Sequence, residues 1–516
     1  MVLFNSLHDE RTNMYPKQNV KRPCILSCAS FLAVAGTILM FFAPWIYNIT
    51  TNFVLSLTTK PTFDLWRKNP MPLYLEFYIF NWTNPTDIYN PDIKPHFEEI
   101  GPFVFEETKE KVNITWNDNN TITFNHLRYW YFDESRSCAN LSTKVTTINS
   151  VAVFAAAVVE DWIYVLRKGF DISISALSTK VEKVTTVGEL LFYGYEDALI
   201  NLAHKMPQMK ALRIPNYDKF GWFYERNGSS LFDGTFNMDI SGSSFGNTRQ
   251  WNYKDYMPYY EGECNKVRGS AGEFYSANRQ RDKIGFFSPD ICRYVPLDYE
   301  QDVNIDGTRG YKYILGDSFL DNGTKVPENK CYCGDYCTPY GALNISACRY
   351  NAPGFVSQPH FYGADPYYLD KITGLHPSKD KHEMFMVLEP STGIPLHVEA
   401  RLQLNILIKP IRSVSLFEGI PTFHFPVIWF EQKARIPSSL HFLLKILLHM
   451  QLILRCIGAI MVIIGIPWLI CLLYKPFLKK MHWKSQNQTL SISDASTKDS
   501  AKPLMKLKHT KETHLR

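Results

Sequence analysis

The sequence lacks the short motifs by which many enzymes are recognised. It has no H-E-x-x-H motif, and no metal-ligand spacing relates the four histidines His360, His376, His382 and His397. Between residues 48 and 449 there is no internal repeat and no low-complexity linker. These absences argue against a zinc enzyme and a repeat protein, and we expect neither a metal nor a cofactor.

Charged residues are missing from two long apolar runs. No charge occurs in Cys24–Tyr47, and Arg455 is the single charge in Leu452–Tyr474. About 20 apolar residues are enough to cross a bilayer, and both runs are too long for the core of a signal peptide. Arg455 lies near one end of its run, where its side chain can reach the interface. We therefore predict membrane-spanning helices at residues 24–47 and 452–474.

Basic residues flank both runs on the side away from the middle of the chain. The first 22 residues carry four basic and two acidic side chains, and residues 475–516 carry ten and three, so the segment between has a net charge of −4 against +5 for the whole chain. Basic flanks stay in the cytoplasm. We therefore predict cytoplasmic tails at 1–23 and 475–516 and a lumenal or extracellular ectodomain at 48–451. The basic tails suit anionic lipid headgroups and do not indicate a nucleic-acid partner.

Sequons for N-glycosylation cluster in the predicted ectodomain. Seven are predicted to carry glycans: Asn81, Asn113, Asn119, Asn140, Asn227, Asn322 and Asn344. Asn48 lies too close to the first apolar run to be modified, and Asn487 lies in a predicted cytoplasmic tail. The clustering favours a glycosylated lumenal surface.

The cysteines divide along the same boundary. An oxidising lumen favours disulfides over zinc thiolates. Six ectodomain cysteines fall within residues 264–348, namely Cys264, Cys292, Cys331, Cys333, Cys337 and Cys348. Their spacing does not choose between the alternative pairings, and Cys138 is left over. Cys24, Cys28 and Cys471 lie near the predicted cytoplasmic face, where palmitoylation and ordinary apolar packing are equally good interpretations.

Alternation of apolar and polar residues predicts strands in much of the ectodomain. Leu73–Phe80 is one such strand, and two further alternating runs flank the turn residues Asn117–Asn120 as in a hairpin. Ser150–Phe170, which is rich in Ala, and Thr186–Met206, which has helical apolar spacing, are predicted to be helices. The fold class is therefore α+β, a β-rich ectodomain with a helical insertion at 150–206 between two membrane anchors.

The clearest alternation lies within residues 397–408. One face carries Val398, Ala400, Leu402, Leu404, Ile406 and Ile408. The other face carries Glu399, Arg401, Gln403 and Asn405. This pattern predicts a strand with one dry face and one wet face.

Two motifs suggest an ecto-enzyme, but their context does not fit. Gly242–Gly246 matches G-x-S-x-G with Ser244 as nucleophile, yet the residues that follow lack the apolar stripe of the required helix. Asp239–Ser244 approaches a nucleotidase phosphate loop but has one residue too many between its Asp and its Gly. An ion channel is disfavoured because the second apolar run has no polar stripe to face water. We expect no catalytic residue.

Longer stretches of the sequence resemble a known family. They are LYLEFYIFNWTNP, EIGPFVFEE, VGELLFYGYEDAL, FFSPDICR and the run Ser357–Pro410. On these residues the chain resembles the class B scavenger receptors, the group that includes fatty-acid translocase, the lysosomal integral membrane protein and insect sensory-neuron membrane proteins. It looks like an insect-type member, and the resemblance runs from the first apolar run to the second.

The resemblance implies both a fold and a disulfide framework. It implies an antiparallel β-barrel-like core pierced by a hydrophobic tunnel, with a helical bundle at the tip, where residues 150–206 would lie. It also implies that the disulfide-rich region, residues 264–348, contains three bridges, Cys264–Cys331, Cys292–Cys348 and Cys333–Cys337.

The resemblance further implies which residues meet ligands. Lys180 and Lys183 match basic positions that attract anionic ligands in the family. On the dry strand face, Leu402, Leu404 and Ile406 are candidates for lining the tunnel. An apolar route suits lipids, because burial of each CH₂ group of an acyl chain gains about 0.8 kcal/mol.

These observations predict a receptor that is not an enzyme. It would bind lipids, lipoprotein-like particles or apoptotic and microbial anionic ligands, and it would pass lipid through the tunnel to the membrane. The resemblance leaves room for a homo-oligomer. The tails contain no acidic dileucine motif, so we expect the plasma membrane, with room for an endosomal pool. The alternatives are a sensory-neuron lipid or pheromone co-receptor of the same family and, from another class, a membrane-anchored ecto-hydrolase.

We predict that Asn487 carries no glycan in protein isolated from cells, because the basic flanks hold both tails in the cytoplasm. Enzymatic glycan release in heavy-oxygen water, followed by peptide mass spectrometry, marks every occupied asparagine. Asn140, in the predicted ectodomain, is the matched positive site. A sugar on Asn487 would overturn the orientation of the whole chain.

Overall fold

The computed structural model describes residues 21–205, 217–333 and 337–498. The chain divides into two compact units, Met1–Thr50 with Ile446–Arg516 and a larger unit, Thr51–Lys445. Residues 1–20 and 499–516, which are parts of the predicted tails at 1–23 and 475–516, lie outside the described residues.

Two long apolar helices dominate the smaller unit. They are α1 (Lys21–Leu55) and α8 (Ser438–Lys498), and both continue beyond the predicted spans. Each contains a window apolar enough to cross a membrane, with a mean hydropathy of 2.2 and 2.7, respectively. A β-carbon on Gly36 would lie 2.6 Å from the carbonyl oxygen of Gly458, so small residues allow the two backbones to approach closely.

The described part of the larger unit contains fifteen strands and six short helices. The strands are β1 (Leu73–Trp82), β2 (Phe97–Asn117), β3 (Thr121–Phe132), β4 (Lys144–Ile148), β5 (Glu182–Thr186), β6 (Thr235–Asp239), β7 (Thr248–Trp251), β8 (Ile284–Ser288), β9 (Arg293–Ile305), β10 (Thr308–Ile314), β11 (Ala342–Asn344), β12 (Gly354–Ser357), β13 (Phe385–Leu388), β14 (Pro395–Ile408) and β15 (Phe423–Arg435). The helices are α2 (Lys60–Arg67), α3 (Ser150–Val159), α4 (Tyr164–Ala176), α5 (Ala198–Lys205), α6 (Asp317–Leu320) and α7 (Lys379–His382).

Thirteen of these strands form one antiparallel sheet. Its main order is β7-β6-β3-β2-β1-β15-β14-β13-β10-β9-β8, while β12 pairs with β14 and β11 pairs with β12. Ser270 forms bridges to Asn247, next to β7, and to Phe286 in β8. The two edges of the sheet therefore meet through one segment, and the sheet is nearly closed like a barrel. The α+β prediction with an antiparallel barrel-like core is confirmed.

The predicted strands are present. Leu73–Phe80 lies within β1, and the run at 397–408 lies within β14. The predicted hairpin is β2–β3, in which Asn117 stands opposite Thr121 across the turn. Alternating apolar residues found these elements because each strand buries one face against the core.

The predicted helix Ser150–Phe170 is wrong in its bounds. The stretch contains α3 and the first half of α4, which continues beyond Phe170 to Ala176. Residues 160–163 separate the two helices. The Asn149 carboxamide accepts a hydrogen bond from the backbone N–H of Ala152 and caps α3. Ile163 has an extended backbone, so the chain changes direction before α4 begins.

The predicted helix Thr186–Met206 is also wrong in its bounds, and Met206 lies outside the described residues. Its first residue ends β5, and a single π-helical turn, Glu189–Tyr193, precedes α5. Glu189 accepts hydrogen bonds from the backbone N–H and the hydroxyl of Thr186, at 3.0 and 2.8 Å. The turn ends at Gly194, whose φ of +68° a side chain would strain.

The core of the larger unit forms three apolar clusters. The first cluster extends from the helical residues Ala152 and Leu199 to Phe77 and Phe103 in the central strands. The second cluster lies among β9, β10 and β13, and the third lies among β3, β6 and β7. The first two clusters meet at β14, which places this strand at the centre of the unit.

Candidate functional site

Both faces of β14 are covered, which corrects the prediction that its polar face would be wet. Arg401, Gln403 and Asn405 are buried. Leu402 and Leu404, on the predicted dry face, are only half-buried. The polar residues are therefore less accessible than the apolar residues between them.

Hydrogen bonds make burial of the polar face tolerable. Gln403 accepts from the backbone N–H of His360 at 2.6 Å and donates to Asn405 at 2.6 Å. Asn405 donates to the hydroxyl of Ser357 at 3.0 Å. Arg401 donates through Nε to Glu431 at 2.8 Å. A buried polar group is costly only when its partners are missing, so this face is stable without water.

Residues 358–383, here called the covering segment, supply part of this network. His360 stacks on His382 with ring centroids 4.3 Å apart and an interplanar angle of 7°. Nδ1 of His360 accepts from the backbone N–H of His376 at 2.9 Å, so Nε2 carries the proton that is donated to Glu99 at 2.6 Å. Trp429 of β15 also donates to Glu99, at 2.6 Å. These bonds fix the covering segment on the sheet.

Burial and hydrogen bonding shift the pKa of one carboxylate and three histidines in the larger unit. Burial alone would raise the pKa of Glu99, but the hydrogen bonds from His360 and Trp429 outweigh it and lower that pKa. Burial lowers the pKa of His382 to about 4. Burial also lowers the pKa of His126 and of His424 to about 4. Neither ring nitrogen of His424 has a hydrogen-bonding partner among the described residues. His126, His382 and His424 are therefore neutral in the folded protein at neutral pH.

The apolar face of β14 connects the two main clusters. Leu402 stands opposite Phe430 and Leu404 opposite Ile428 on β15. Leu404 packs against both the first and the second cluster. Ile406, the third candidate for the tunnel lining, is fully buried core. Accessible apolar surface at the junction of two clusters is the feature that a lipid route requires.

Of the two predicted capture lysines, Lys183 lies on β5, which pairs with β4, and Lys180 lies just before this strand. Lys180 is 75% exposed, and its Nζ lies 3.5 Å from Glu182. Lys183 is 27% exposed, lies 3.6 Å from Asp197 and sits 4.5 Å over the ring of Tyr195. Each lysine therefore has an acidic neighbour, which weakens the positive field of the pair.

Helix α4 carries an exposed apolar surface that sequence reasoning missed. The α4 patch consists of Ile163, Tyr164, Val165 and Ile172, each at least 60% exposed. Val165 and Ile172 are seven residues apart and lie on one face of the helix. Contiguous exposed apolar residues mark interaction surfaces. The signal was the acidic pair Glu160–Asp161, which interrupts the apolar run and separates α4 from α3.

Asp171 fixes α4 to the rest of the unit. Its carboxylate accepts from the backbone N–H and the hydroxyl of Ser415, both at 2.6 Å, and pairs with Lys168 at 3.0 Å. A half-open apolar pocket lies among α3, α4 and α5, lined by Ala155, Val159, Trp162, Phe170, Leu199, Leu202 and Ala203.

Comparison with known proteins identifies the family. The sequence matches the CD36 family over residues 27–475. The chain is a member of the CD36 family. Protein peste of Drosophila melanogaster is 39% identical over 77% of this chain and 73% of its own length. Scavenger receptor class B member 1 of Sus scrofa is 30% identical over 85% of this chain and 87% of its own length. Lysosome membrane protein 2 of Homo sapiens is 30% identical over 79% of this chain and 86% of its own length.

CD36-family membership confirms the resemblance to the class B scavenger receptors. With the two long apolar helices, it makes the chain a membrane protein and supports a lipid-binding scavenger-receptor role. The family is in general one of receptors rather than enzymes. The geometry around Ser244 agrees, because a three-residue turn, Gly242–Ser244, connects β6 to β7 as a hairpin instead of leading into a helix.

Two of the three implied disulfides are present. Bridges join Cys264 to Cys331 and Cys333 to Cys337. Cys292 and Cys348 differ from the implied framework, because both are buried free thiols. Their thiols face each other within hydrogen-bonding range, and no S–S bond joins them. Cys138 is an exposed free thiol.

The predicted modification sites differ in accessibility. Asn113, Asn119, Asn140 and Asn227 are exposed, whereas Asn81, Asn322 and Asn344 are half-buried. Asn81 accepts a hydrogen bond from the backbone N–H of Thr146 at 2.9 Å, so a glycan there would have to fit beside β4. Cys28 and Cys471 are exposed on the apolar helices, and the side chain of Cys24 lies outside the described residues.

We predict that folding stability falls between about pH 6.5 and about pH 4, by about 1.4 kcal/mol per pH unit for each buried histidine. His126, His382 and His424 take up a proton below about pH 6.5 in the unfolded chain but only near pH 4 in the folded one. Stability is therefore complete above this window and is lost as the pH falls through it. Carboxylates such as Glu99, with its lowered pKa, begin to contribute only below about pH 4.5.

The measurement is the midpoint of thermal unfolding of the full-length protein in detergent. Tryptophan fluorescence monitors the unfolding at several pH values across this range. His424→Phe should reduce the slope, because a phenyl ring fits among Phe355 and Tyr368 and does not titrate. His96→Asn, at an exposed histidine, is the control and should leave the slope unchanged. A midpoint that does not change with pH would contradict the prediction.

We propose that Cys292 and Cys348 form the third bridge in an oxidising lumen, because their buried thiols already face each other. Loss of a native disulfide typically costs about 2–5 kcal/mol. Cys292→Ser should therefore reduce delivery to the cell surface, whereas Cys138→Ser should not. Surface biotinylation measures delivery, and peptide mapping without reduction identifies the pair. Alkylation of both thiols in the mature native protein would show that the bridge does not form.

Proposed function

We propose that the protein is a plasma-membrane receptor that captures lipids and anionic lipid-bearing particles and passes lipid to the bilayer. The observation that carries this proposal is the half-buried apolar face at Leu402 and Leu404, which joins two core clusters in the middle of the larger unit. CD36-family membership supports the lipid-binding part. The proposed topology has cytoplasmic tails and a glycosylated lumenal or extracellular ectodomain.

Capture takes place on the helical part of the ectodomain in this proposal. Lys180 extends into solvent and would attract anionic headgroups from a distance. The α4 patch would then contact acyl chains or the apolar surface of a particle. The two surfaces act in sequence, since electrostatic attraction raises the rate of encounter and apolar contact prolongs it.

Passage uses the interior of the barrel-like sheet. An acyl chain gains about 0.8 kcal/mol for each CH₂ group that leaves water, so it follows apolar surface wherever side chains can yield. Leu402 and Leu404 offer such surface, while the polar face of β14 is sealed by the covering segment. A lipid on this route would therefore meet leucine and phenylalanine side chains rather than the buried ion pairs behind them.

The test separates capture from passage. Lys180→Glu with Lys183→Glu should weaken binding of anionic vesicles, most clearly at low salt, because exposed charges are screened beyond roughly 10 Å at 0.1 M salt. Leu404→Gln should leave vesicle binding intact and reduce lipid transfer, because it places an amide on the apolar face. Binding and transfer are scored separately in cells that express full-length protein, with surface expression measured in parallel.

Matched variants control for charge and for polarity. Lys94→Glu with Lys371→Glu reverses two other exposed lysines and should leave binding unchanged. Leu416→Gln makes the same substitution at a half-buried leucine outside β14. If the Lys180 and Lys183 variant binds normally, capture rests on the α4 patch alone. If Leu404→Gln transfers lipid at the full rate, the route does not follow β14.

A further inference from the structure

Five aromatic side chains form a contiguous group inside the larger unit, here called the aromatic cluster: Phe77, Phe105, Trp130, Phe192 and Phe223. The first three belong to the adjacent strands β1, β2 and β3 and are buried. Phe192 and Phe223 come from outside the sheet and keep part of their surface accessible. The cluster thus has a strand half and a non-strand half.

The rings are in direct contact across the two halves. Phe192 lies 4.7 Å from Phe105 between ring centroids, and Phe223 lies 4.9 Å from Phe77. Phe192 and Phe223 are 5.4 Å apart, and Trp130 lies 5.8 Å from Phe192. These separations are typical of packed aromatic pairs. The rings therefore leave no open passage among themselves in this conformation.

The cluster lies next to the apolar face of β14. Phe77 stands opposite Phe430 in the sheet, and Phe430 stands opposite Leu402. In the other direction, the same core cluster continues to Ala152 of α3 and Leu199 of α5. A lipid that moved from the helical region to Leu402 along apolar surface would meet the aromatic cluster on the way.

The two halves differ in how they are held. The ladders of β1, β2 and β15, and of β1, β2 and β3, fix the backbones of Phe77 and Phe105 on both sides. Trp130 is paired with Glu107 of β2 on one side and hydrogen-bonded to the side chain of Asn227 on the other. Phe192 belongs instead to the single π-helical turn Glu189–Tyr193. Four backbone hydrogen bonds tie this turn and Tyr195, just after it, to the segment of Phe223. They join Phe223 to Leu191 at 2.8 Å, Trp222 to Leu190 at 3.0 Å, and Tyr195 and Phe220 reciprocally at 2.9 Å. The non-strand half is therefore held together as one piece, which meets the strand half through ring contacts and can shift as a unit while the sheet stays intact.

The π-helical turn is held at both ends. At its start, Glu189 accepts hydrogen bonds from Thr185 and Thr186, at 2.8–3.0 Å. At its end, Gly194 has a φ of +68°, and a β-carbon there would lie 2.8 Å from the β-carbon of Lys219, so this end packs closely on the chain that leads to Phe223. Single π-helical turns are frequent at functional sites. Displacement of the turn would therefore carry Phe192 and the Phe223 segment together.

We propose that Phe192 and Phe223 form a movable gate in the lipid route and that this gate selects lipids by width. The proposal rests on the proposed function, because it assumes that lipid passes along the apolar face of β14. A flexible acyl chain passes when the ring of Phe192 rotates. A rigid fused-ring lipid such as a sterol requires displacement of the whole π-helical turn, so it passes more slowly.

The gate is tested by changing the size of one ring in the full-length protein. Phe192→Ala should raise transfer of a fluorescent sterol by about tenfold, because the burial of one phenyl ring corresponds to about that factor in an opening equilibrium. Transfer of a fluorescent fatty acid should rise much less. Phe192→Trp should reduce transfer of both probes. Vesicle binding at the cell surface should be unchanged in every variant.

Phe132→Ala is the matched control, because it removes a half-buried ring that packs on Phe105 at 5.4 Å from the strand side. If Phe192→Ala is not delivered to the surface, Phe192→Leu replaces it with a smaller change of volume and the same expected direction. A sterol-to-fatty-acid transfer ratio that moves with Phe192 and not with Phe132 supports the gate. Equal ratios in both variants overturn it.

Leu404→Gln, measured in the same assay, distinguishes failure of the gate from failure of the proposed function. If Leu404→Gln reduces transfer while the Phe192 variants behave like native protein, the lipid route stands and the gate does not exist. If neither residue affects transfer, lipid does not pass along this face, and the gate falls together with the proposed function.

Discussion

The buried polar face of β14 is the constraint on which the larger unit depends. Arg401, Gln403 and Asn405 are out of contact with water, and an unsatisfied buried group of this kind costs about 1–3 kcal/mol. Their partners come from β12, β15 and the covering segment. The hydrogen bonds that satisfy the polar side chains of this one strand therefore fix three distant parts of the chain. The apolar face of the same strand is then directed toward the interior.

The sequence predicts much of this fold because its signals are local. Alternation identified β1, the β2–β3 hairpin and β14, and it identified which residues of β14 share a face. Alternation shows only that two faces differ, however, and cannot show which of them meets water. The partners that hydrogen-bond to the polar face and exclude water from it include Ser357 and Glu431. They are far from β14 in sequence and become its neighbours only through the order of the strands in the sheet.

The candidate site was predicted less completely for a related reason. The sequence gives the positions of Lys180 and Lys183 but not the pairing of Lys183 with Asp197, which depends on the fold of residues 182–197. The α4 patch is not predicted from the sequence, because the apolar run at residues 150–170 has the pattern of one continuous helix and only the acidic pair Glu160–Asp161 marks the break at residues 160–163. The Cys264–Cys331 pairing came from family resemblance and not from spacing, since the two cysteines meet only when the loops around them fold.

Two polar side chains on the apolar side of the sheet, Gln432 and Glu107, are already hydrogen-bonded. Gln432, two residues beyond Phe430 on the same strand, donates to Glu107 at 2.6 Å, and Glu107 accepts from Arg128 at 2.7 Å. A lipid headgroup that reached this point would have to break these bonds before it could form its own. Under the proposed function, recognition by charge would therefore belong to the outer surface, where Lys180 is in water. Recognition along the proposed route would depend on shape, which the packed rings of the aromatic cluster can provide.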